Sequence, residues 1–122
     1  MNDRLAALRP WLMRLLVWLA VAAVLTWPVV ISPGAVLLGD ARIDVWNHAW
    51  GYWFVQEAIA RGALPFETAL VGAPDGGTLY YIDTPGALWG LPLTALLGPA
   101  VGYNLVLLCR VAMAGLAGQL LA

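Results

Sequence analysis

Four polar side chains in the first half of the chain are of types that could carry out chemistry. Asp40 and Asp44 are four residues apart, and Asn47 and His48 follow closely. Residues four apart on a helix lie on one face, so Asp44 and His48 would reach the same point. A carboxylate and an imidazole there could bind a divalent cation or move a proton. Alternatively, Asp44 only caps the helix and His48 is a solvated or hydrogen-bonded surface group.

The sequence predicts an amphipathic helix over residues 44–61 that would position these groups. Asp44 suits its N-terminus, while Arg61 and Gly62 suit its end. At 100° per residue, two faces separate. One face is aromatic and typical of an anchor at the membrane surface, with Trp46, Trp50, Trp53 and Glu57. The opposite face is polar, with Asp44, Asn47, His48 and Gly51, and we expect the glycine to leave space for a ligand or another backbone.

Composition places the chain in a membrane. Of its 122 residues, 62% are hydrophobic and 11% are charged, whereas a soluble domain has roughly 45–50% apolar and about 25% charged residues. A first transmembrane helix is predicted at residues 11–31, with a cleaved signal peptide as the alternative. The net charge of −1 gives no indication of a nucleic-acid partner. A single cysteine, Cys109, excludes a disulfide within the chain and a cysteine-based metal site.

The distribution of arginines predicts the orientation. The N-terminal flank carries three arginines, with Arg4 and Arg9 before the first span and Arg14 near its start, whereas the loop at residues 32–84 is mainly acidic. Because positive flanks stay in the cytoplasm, residues 1–10 are expected to be cytoplasmic. The loop is then periplasmic or extracellular, and the protein is a multi-pass protein of the plasma (inner) membrane. Within the loop, residues 74–77 predict a turn, residues 78–82 a short strand or extended segment, and Asp83 the start of a helix.

The C-terminal region has two interpretations. From Gly86 to Ala122 only Arg110 is charged. In the first interpretation, residues 85–97 form an interfacial or re-entrant helix and residues 99–122 form the second span. Arg110 then lies near mid-membrane, and Ala114 and Gly118 offer a small-residue packing face. In the second, the span covers residues 86–108 and Arg110 is its cytoplasmic flank. Either way, the predicted fold class is all-α integral membrane, with two transmembrane helices joined by a long outer loop, as part of a larger polytopic bundle.

Three segments together resemble a known family. They are Gly39-Asp40-Ala-Arg-Ile-Asp44-Val-Trp-Asn-His48-Ala-Trp50, Pro74-Asp-Gly-Gly-Thr-Leu-Tyr80 and Tyr103-Asn-Leu. Their order, after a cytoplasmic start and a first span, resembles the N-terminal region of bacterial GT-C glycosyltransferases such as the protein O-mannosyltransferases. The resemblance implies a membrane enzyme that transfers a sugar from a polyprenyl-phosphate donor to an acceptor at the outer face. The chain alone would be inactive, because the rest of the donor pocket would lie in further C-terminal spans.

The resemblance also implies roles for the polar residues. Asp40 and Asp44 would be catalytic, although their spacing differs from the Asp-x-Asp of many members and leaves open which is the base. His48 and Asn47 would lie near the donor phosphate, and Asp44 and His48 would be ligands of Mg²⁺ or Mn²⁺. The expected partners are membrane lipid, the lipid-linked sugar and the C-terminal spans of the same protein.

Two other classes of function fit the same sequence. Arg110 and the helix breaks at Pro92, Gly98 and Pro99 would also suit part of a transporter or flippase. A small two-span membrane protein without enzymatic activity, whose tryptophan-rich helix contacts a partner, is the third class.

Overall fold

The computed structural model describes residues 2–42, 44–79 and 82–122, with side chains from Leu8 onward. Within these residues the chain is mostly helical. The elements in chain order are α1 (Asn2–Leu25), a 3-10 turn (Val29–Ile31), α2 (Val45–Ala60), β1 (Glu67–Thr68), β2 (Gly77–Thr78), α3 (Thr84–Trp89), α4 (Leu91–Leu97) and α5 (Pro99–Leu121).

Two of the helices are long and apolar enough to cross a membrane, which confirms the coarse prediction of a mostly helical chain with two candidate spans. The qualifying stretches are Leu8–Leu25 in α1 and Pro99–Leu121, the whole of α5. The first helix ends at Leu25, whereas the predicted span continued to residue 31. Proline at position 28 explains the difference, because it has no N–H for the helix ladder and the chain continues as a 3-10 turn.

A small β-ladder departs from the all-α expectation. Glu67 pairs with Thr78 and Thr68 with Gly77 in antiparallel register. The turn predicted at residues 74–77 belongs to the loop that connects these two short strands. Of the extended segment predicted at 78–82, Thr78 lies in β2, while residues 80 and 81 are outside the described residues.

Helices α1 and α5 pack antiparallel against each other. The indole Nε1 of Trp18 donates to Gln119 Oε1 at 2.9 Å, and the ring of Trp18 lies so close to Gly115 that a Cβ there would overlap it. The packing face predicted at Ala114 and Gly118 is not the one that contacts α1. Ala114 is exposed, and no atom of the described residues lies within 4 Å of a Cβ built on Gly118. The contact uses the neighbouring glycine because only that side of α5 faces α1.

Helices α3 and α4 fold back along the N-terminal half of α5. The predicted helix at 85–97 is divided at Gly90, and the chain turns into α5 at Gly98, whose φ of 90° favours glycine. The α3–α4 segment and α5 contact each other at every fourth residue. Gly86 meets Arg110, Gly90 meets Val106, and Thr94 meets Gly102. Small residues therefore let this helical hairpin close tightly.

Helix α2 covers this hairpin and completes the core. Tyr52, Val55 and Ala58 are buried against residues of α3, α5 and the preceding loop. The side chain of Ile82 fills the space beside Gly51, within 3.0 Å of where a Cβ would lie. Gly51 thus accommodates a core side chain, and the ligand space that the sequence led us to expect there is occupied. On the opposite face, Trp46 is exposed, while Trp50 stacks on Phe54 with ring centroids 5.2 Å apart.

Candidate functional site

Three of the four predicted site residues surround one cavity at the start of α2. Asp40, Asp44 and His48 line an open cavity of about 330 Å³, together with Gly39, Val45 and Tyr103. Asn47 is not among the lining residues. Its Nδ2 donates to Asp44 Oδ1 at 3.4 Å, so Asn47 contacts the site through that acid. The N-terminus of α2 brings Asp44 and His48 to the same side, as the four-residue spacing predicts.

The two acids have different surroundings. Asp40 Oδ1 accepts from the backbone N–H of Arg42 at 2.9 Å and from its Nε at 3.2 Å, while Oδ2 accepts from Nη2 at 3.1 Å. These hydrogen bonds lower the pKa of Asp40 below its ordinary value. Asp44 occupies the N-cap position, yet its carboxylate accepts no capping N–H within the described residues. Asp40 is paired with Arg42, whereas Asp44 belongs to none of the ion pairs among the described residues. Asp44 is therefore the better candidate to accept a proton.

His48 lines the same cavity. Its backbone N–H donates to Asp44 O at 3.0 Å, which is ordinary helix geometry. Its Nδ1 is buried and has no hydrogen-bond partner within the described part of the chain. Buried polar atoms without a partner are rare in proteins and call for an explanation, such as water or an ion. An imidazole nitrogen next to a carboxylate is a suitable ligand for a divalent cation such as Mn²⁺.

The protein side chains alone do not form a full metal site in the described ranges. Among residues 2–42, 44–79 and 82–122, no group of three or more His, Cys, Asp or Glu side chains could hold a metal ion together. A cation beside Asp44 and His48 would therefore need further oxygen ligands. Mg²⁺ commonly takes one or two carboxylates with phosphate oxygens and water, so such a site would be completed by a substrate.

The loop that carries Asp40 is anchored to α5. Asn104 is fully buried, and its Nδ2 donates to Pro33 O and Val36 O, both at 2.6 Å. Its Oδ1 accepts from Leu38 N at 2.9 Å. The hydroxyl of Tyr103 donates to Leu38 O at 2.9 Å. The sequence motif at 103–104 contributed to the family resemblance, but nothing in the local pattern indicated that it would bind a loop more than sixty residues away.

A second polar cluster lies deeper in the bundle, and the sequence analysis missed it. Arg110 donates through Nη1 to Asp83 Oδ2 and through Nη2 to Oδ1, the latter at 3.1 Å. Asp83 also accepts from Gly86 N at 3.1 Å as the N-cap of α3. The hydroxyl of Tyr52 lies 3.5 Å from Asp83 Oδ2, and its ring packs edge-on against Tyr103, with centroids 5.5 Å apart. The sequence did contain one indication of this cluster, because a lone arginine in an apolar run needs a counter-charge.

This second cluster is electrostatically balanced. Burial alone would raise the pKa of Asp83. This effect is outweighed by hydrogen bonds from Arg110 and from the N–H of Gly86, together with the charges of Arg110 and His48. The net pKa lies below the ordinary value. Burial, followed by the nearby Asp83 charge, raises the pKa of Tyr52. Asp83 is therefore ionised at neutral pH, and Tyr52 stays protonated. The arrangement stabilises the fold and provides no free acid or base.

Comparisons with known proteins found no relative. No family model matches the chain, and neither the curated proteins nor the solved structures contain a match. The resemblance to the GT-C glycosyltransferases therefore rests on the sequence segments themselves.

Proposed function

We propose that this chain forms the outer-face, donor-phosphate-binding part of a membrane glycosyltransferase that uses a polyprenyl-phosphate sugar. The observation that carries the proposal is the open cavity at the start of α2. It brings together two carboxylates and an imidazole, from Asp40, Asp44 and His48. These are the groups that sugar transfer from a phosphate leaving group requires: a base for the acceptor hydroxyl and partners for the phosphate.

The position of the cavity supports an outer-face site. In the antiparallel pair of α1 and α5, the end of α1 and the start of α5 lie together, because Gly34 lies against Val101. The loop that leads to Asp40 leaves from this end. With the arginine-rich N-terminus in the cytoplasm, this end faces the periplasm or cell exterior. A lipid-linked donor in the outer leaflet would present its phosphate at this depth.

The residues suggest a single-displacement reaction. Asp44 removes the proton from the acceptor hydroxyl as that oxygen attacks the anomeric carbon from the face opposite the phosphate. The bond between the anomeric carbon and the phosphate oxygen breaks, and polyprenyl phosphate leaves with the electron pair. His48 binds the phosphate. If Asp44 and His48 instead held a divalent cation against the phosphate, Asp40 would accept the proton. Such a cation would neutralise charge on the leaving group. Asp40 lines the same cavity and is paired with Arg42.

Substitution of the acids in the protein expressed from its own gene tests this function. In isolated membranes, we expect Asp44→Asn to lower transfer of radiolabelled sugar from polyprenyl phosphate by about 100-fold or more, as loss of a general base does. Asp75→Asn is the matched control, because Asp75 is an exposed acid in the same outer loop and lies outside this cavity. Full transfer by both Asp40→Asn and Asp44→Asn variants would exclude the assignment.

The ion pair between α3 and α5 favours a second candidate function, a transporter or flippase. The partly buried pair of Asp83 and Arg110 lies where a helix is broken at Gly90, and such breaks occur at transport sites. In that case, folded Arg110→Lys protein should lose transport, while Asp40→Asn and Asp44→Asn variants should retain it. The same set of variants therefore separates the two functions.

A further inference from the structure

We infer that Tyr103 and Asn104 of α5 are positioning residues that hold the acid-bearing loop in place at the cavity. The inference rests on the proposed function of that cavity. Neither residue is placed in the proton transfer. Their contribution is to fix the path of the backbone that carries Asp40 and leads into Asp44.

Every donor and acceptor group of the Asn104 side chain has a hydrogen-bond partner in the loop. Both of its amide hydrogens have acceptors, in Pro33 O and Val36 O, and its carbonyl oxygen accepts from Leu38 N. The side chain has no exposed surface. Only an asparagine-sized amide supplies two donors and an acceptor in this space, because an Asp lacks the donors and a Leu lacks both. The three bonds join one residue of a long helix to three points of one turn.

Tyr103 extends the anchor to the residue next to the cavity. Its hydroxyl donates to Leu38 O, and Leu38 directly precedes Gly39 and Asp40. Tyr103 also lines the cavity itself. Leu38 is thus held through its N–H by Asn104 and through its carbonyl by Tyr103. This fixes the peptide planes on both sides of one residue.

The short segment beyond Leu38 has little freedom left. Gly39 has a φ of 144°, which disfavours other residues, and Val45 packs against it. On the far side of Asp40, the carbonyl of Ala41 accepts from Trp46 Nε1 at 3.2 Å. The backbone of Asp40 is therefore held from α5 on one side and from α2 on the other. Loss of the α5 anchor would let it move relative to Asp44.

The Tyr103→Phe variant tests the anchor with the least disturbance, because the ring stays against Tyr52. We expect the rate constant kcat for sugar transfer to fall about tenfold while KM for the polyprenyl-phosphate donor stays within about twofold, the signature of lost alignment. Tyr52→Phe is the matched control, since it removes a hydroxyl from the other ring of the same pair and contacts Asp83 instead of the loop. It should leave kcat unchanged.

Combining Tyr103→Phe with Asp44→Asn distinguishes a positioning role of Tyr103 from a general loss of stability. In the Asp44→Asn background, we expect Tyr103→Phe to cause no further loss of transfer, because the geometry it maintains is no longer used. A further tenfold loss in that background would overturn the inference. Full activity of Tyr103→Phe alone would also overturn it, provided that Asp44→Asn is inactive.

Hydrogen exchange gives a readout that does not depend on activity. In Tyr103→Phe and Asn104→Asp proteins, amides of residues 36–42 should exchange at least severalfold faster than in the parent, while amides of α1 keep their protection. If Asn104→Asp unfolds, Tyr103→Phe decides alone. Unchanged exchange at residues 36–42 in Tyr103→Phe contradicts the anchor, whatever the reaction. Faster exchange together with active Asp40→Asn and Asp44→Asn proteins contradicts the proposed function and removes the catalytic role of the anchor.

Discussion

At the scale of single residues, the ion pair between Asp83 and Arg110 is the least exposed of the three ion pairs among the described residues. Removing the charge of Asp83 leaves a partly buried guanidinium without its counter-charge. We expect Asp83→Asn to lower the free energy of unfolding by about 2 kcal/mol, measured by chemical denaturation in detergent. The control is Glu57→Gln, which breaks the more exposed pair with Arg61 and should cost about 0.5 kcal/mol or less. Equal effects of the two substitutions would show that the deeper pair adds nothing.

The same carboxylate predicts how stability depends on pH. The folded-state pKa of Asp83 lies below the ordinary value of 3.8. Its stabilisation is therefore fully present above the unfolded-state pKa and is lost as the pH falls through the lower folded-state pKa. Between neutral pH and pH values below 3.8, the parent should lose more stability than Asp83→Asn. Thermal unfolding at a series of pH values tests this, and parallel curves for the two proteins would contradict it.

Residue spacing predicted one polar cluster and could not predict the other. Asp44 and His48 share a helix, so their separation in sequence fixes their separation in space. Asp83 and Arg110 are 27 residues apart and meet only because α3 and α4 fold back along α5. A local pattern indicates that Arg110 needs a partner, but it does not say which of the seven acids supplies it. The sequence predicted only that Asp83 starts a helix. In the structure Asp83 both caps α3 and forms the ion pair.

At the scale of elements, helix ends were more predictable than helix contacts. Helix α2 covers Val45–Ala60 and α5 covers Pro99–Leu121, where the sequence predicted helices at 44–61 and 99–122. Caps, prolines and glycines act within one turn and are visible locally. Which face of α5 meets α1 depends on the whole bundle, and Gly115 was missed in favour of Ala114 and Gly118 for that reason.

The glycines of the hairpin between α3–α4 and α5 predict a stability difference. A Cβ on Gly90 would lie 2.7 Å from Val106 Cγ2 and 3.0 Å from Tyr52 Cε1. We expect Gly90→Ala to destabilise the fold by about 1–3 kcal/mol through overpacking. Gly118→Ala, also in a helix but without neighbours within 4 Å among the described residues, should be neutral or stabilising by up to about 1 kcal/mol. Thermal unfolding of both variants in the same detergent measures the difference. A stable Gly90→Ala protein would mean that the hairpin is looser than described.

At the scale of the whole molecule, the predicted orientation can be tested with thiol labelling. In a Cys109→Ser background, we expect a cysteine at exposed Asp75 to react with a membrane-impermeant maleimide in intact cells. A cysteine at Asn2 should react only after the membrane is opened, because the arginine-rich N-terminus stays inside. The reverse labelling pattern would invert the topology and move the acid-lined cavity to the cytoplasm.

The register between the helices determines how deep Arg110 would lie. Trp18 faces Gly115, and five residues outward along both antiparallel helices lead to Arg110 and Ala23, a rise of about 7–8 Å. Arg110 is thus central in α5 but close to Leu25, where α1 ends. The ion pair would then lie near the outer boundary of the apolar layer, where a charge costs less than at mid-membrane.

From this placement, we expect α3 to be interfacial instead of re-entrant. Because Gly90 meets Val106, one turn nearer the N-terminus of α5 than Arg110, we expect the exposed Trp89 to lie further outward than Arg110. Tryptophans collect at headgroup depth. In vesicles containing brominated lipids, the fluorescence that Trp89→Phe removes should be quenched more by bromines near the headgroups than by bromines at the chain centre. The fluorescence that Trp18→Phe removes should show the opposite preference. If the fluorescence of Trp89 were quenched more strongly by bromines at the chain centre, the hairpin would lie inside the hydrocarbon. Arg110 would then also lie there, with Asp83 as its intramembrane counter-charge.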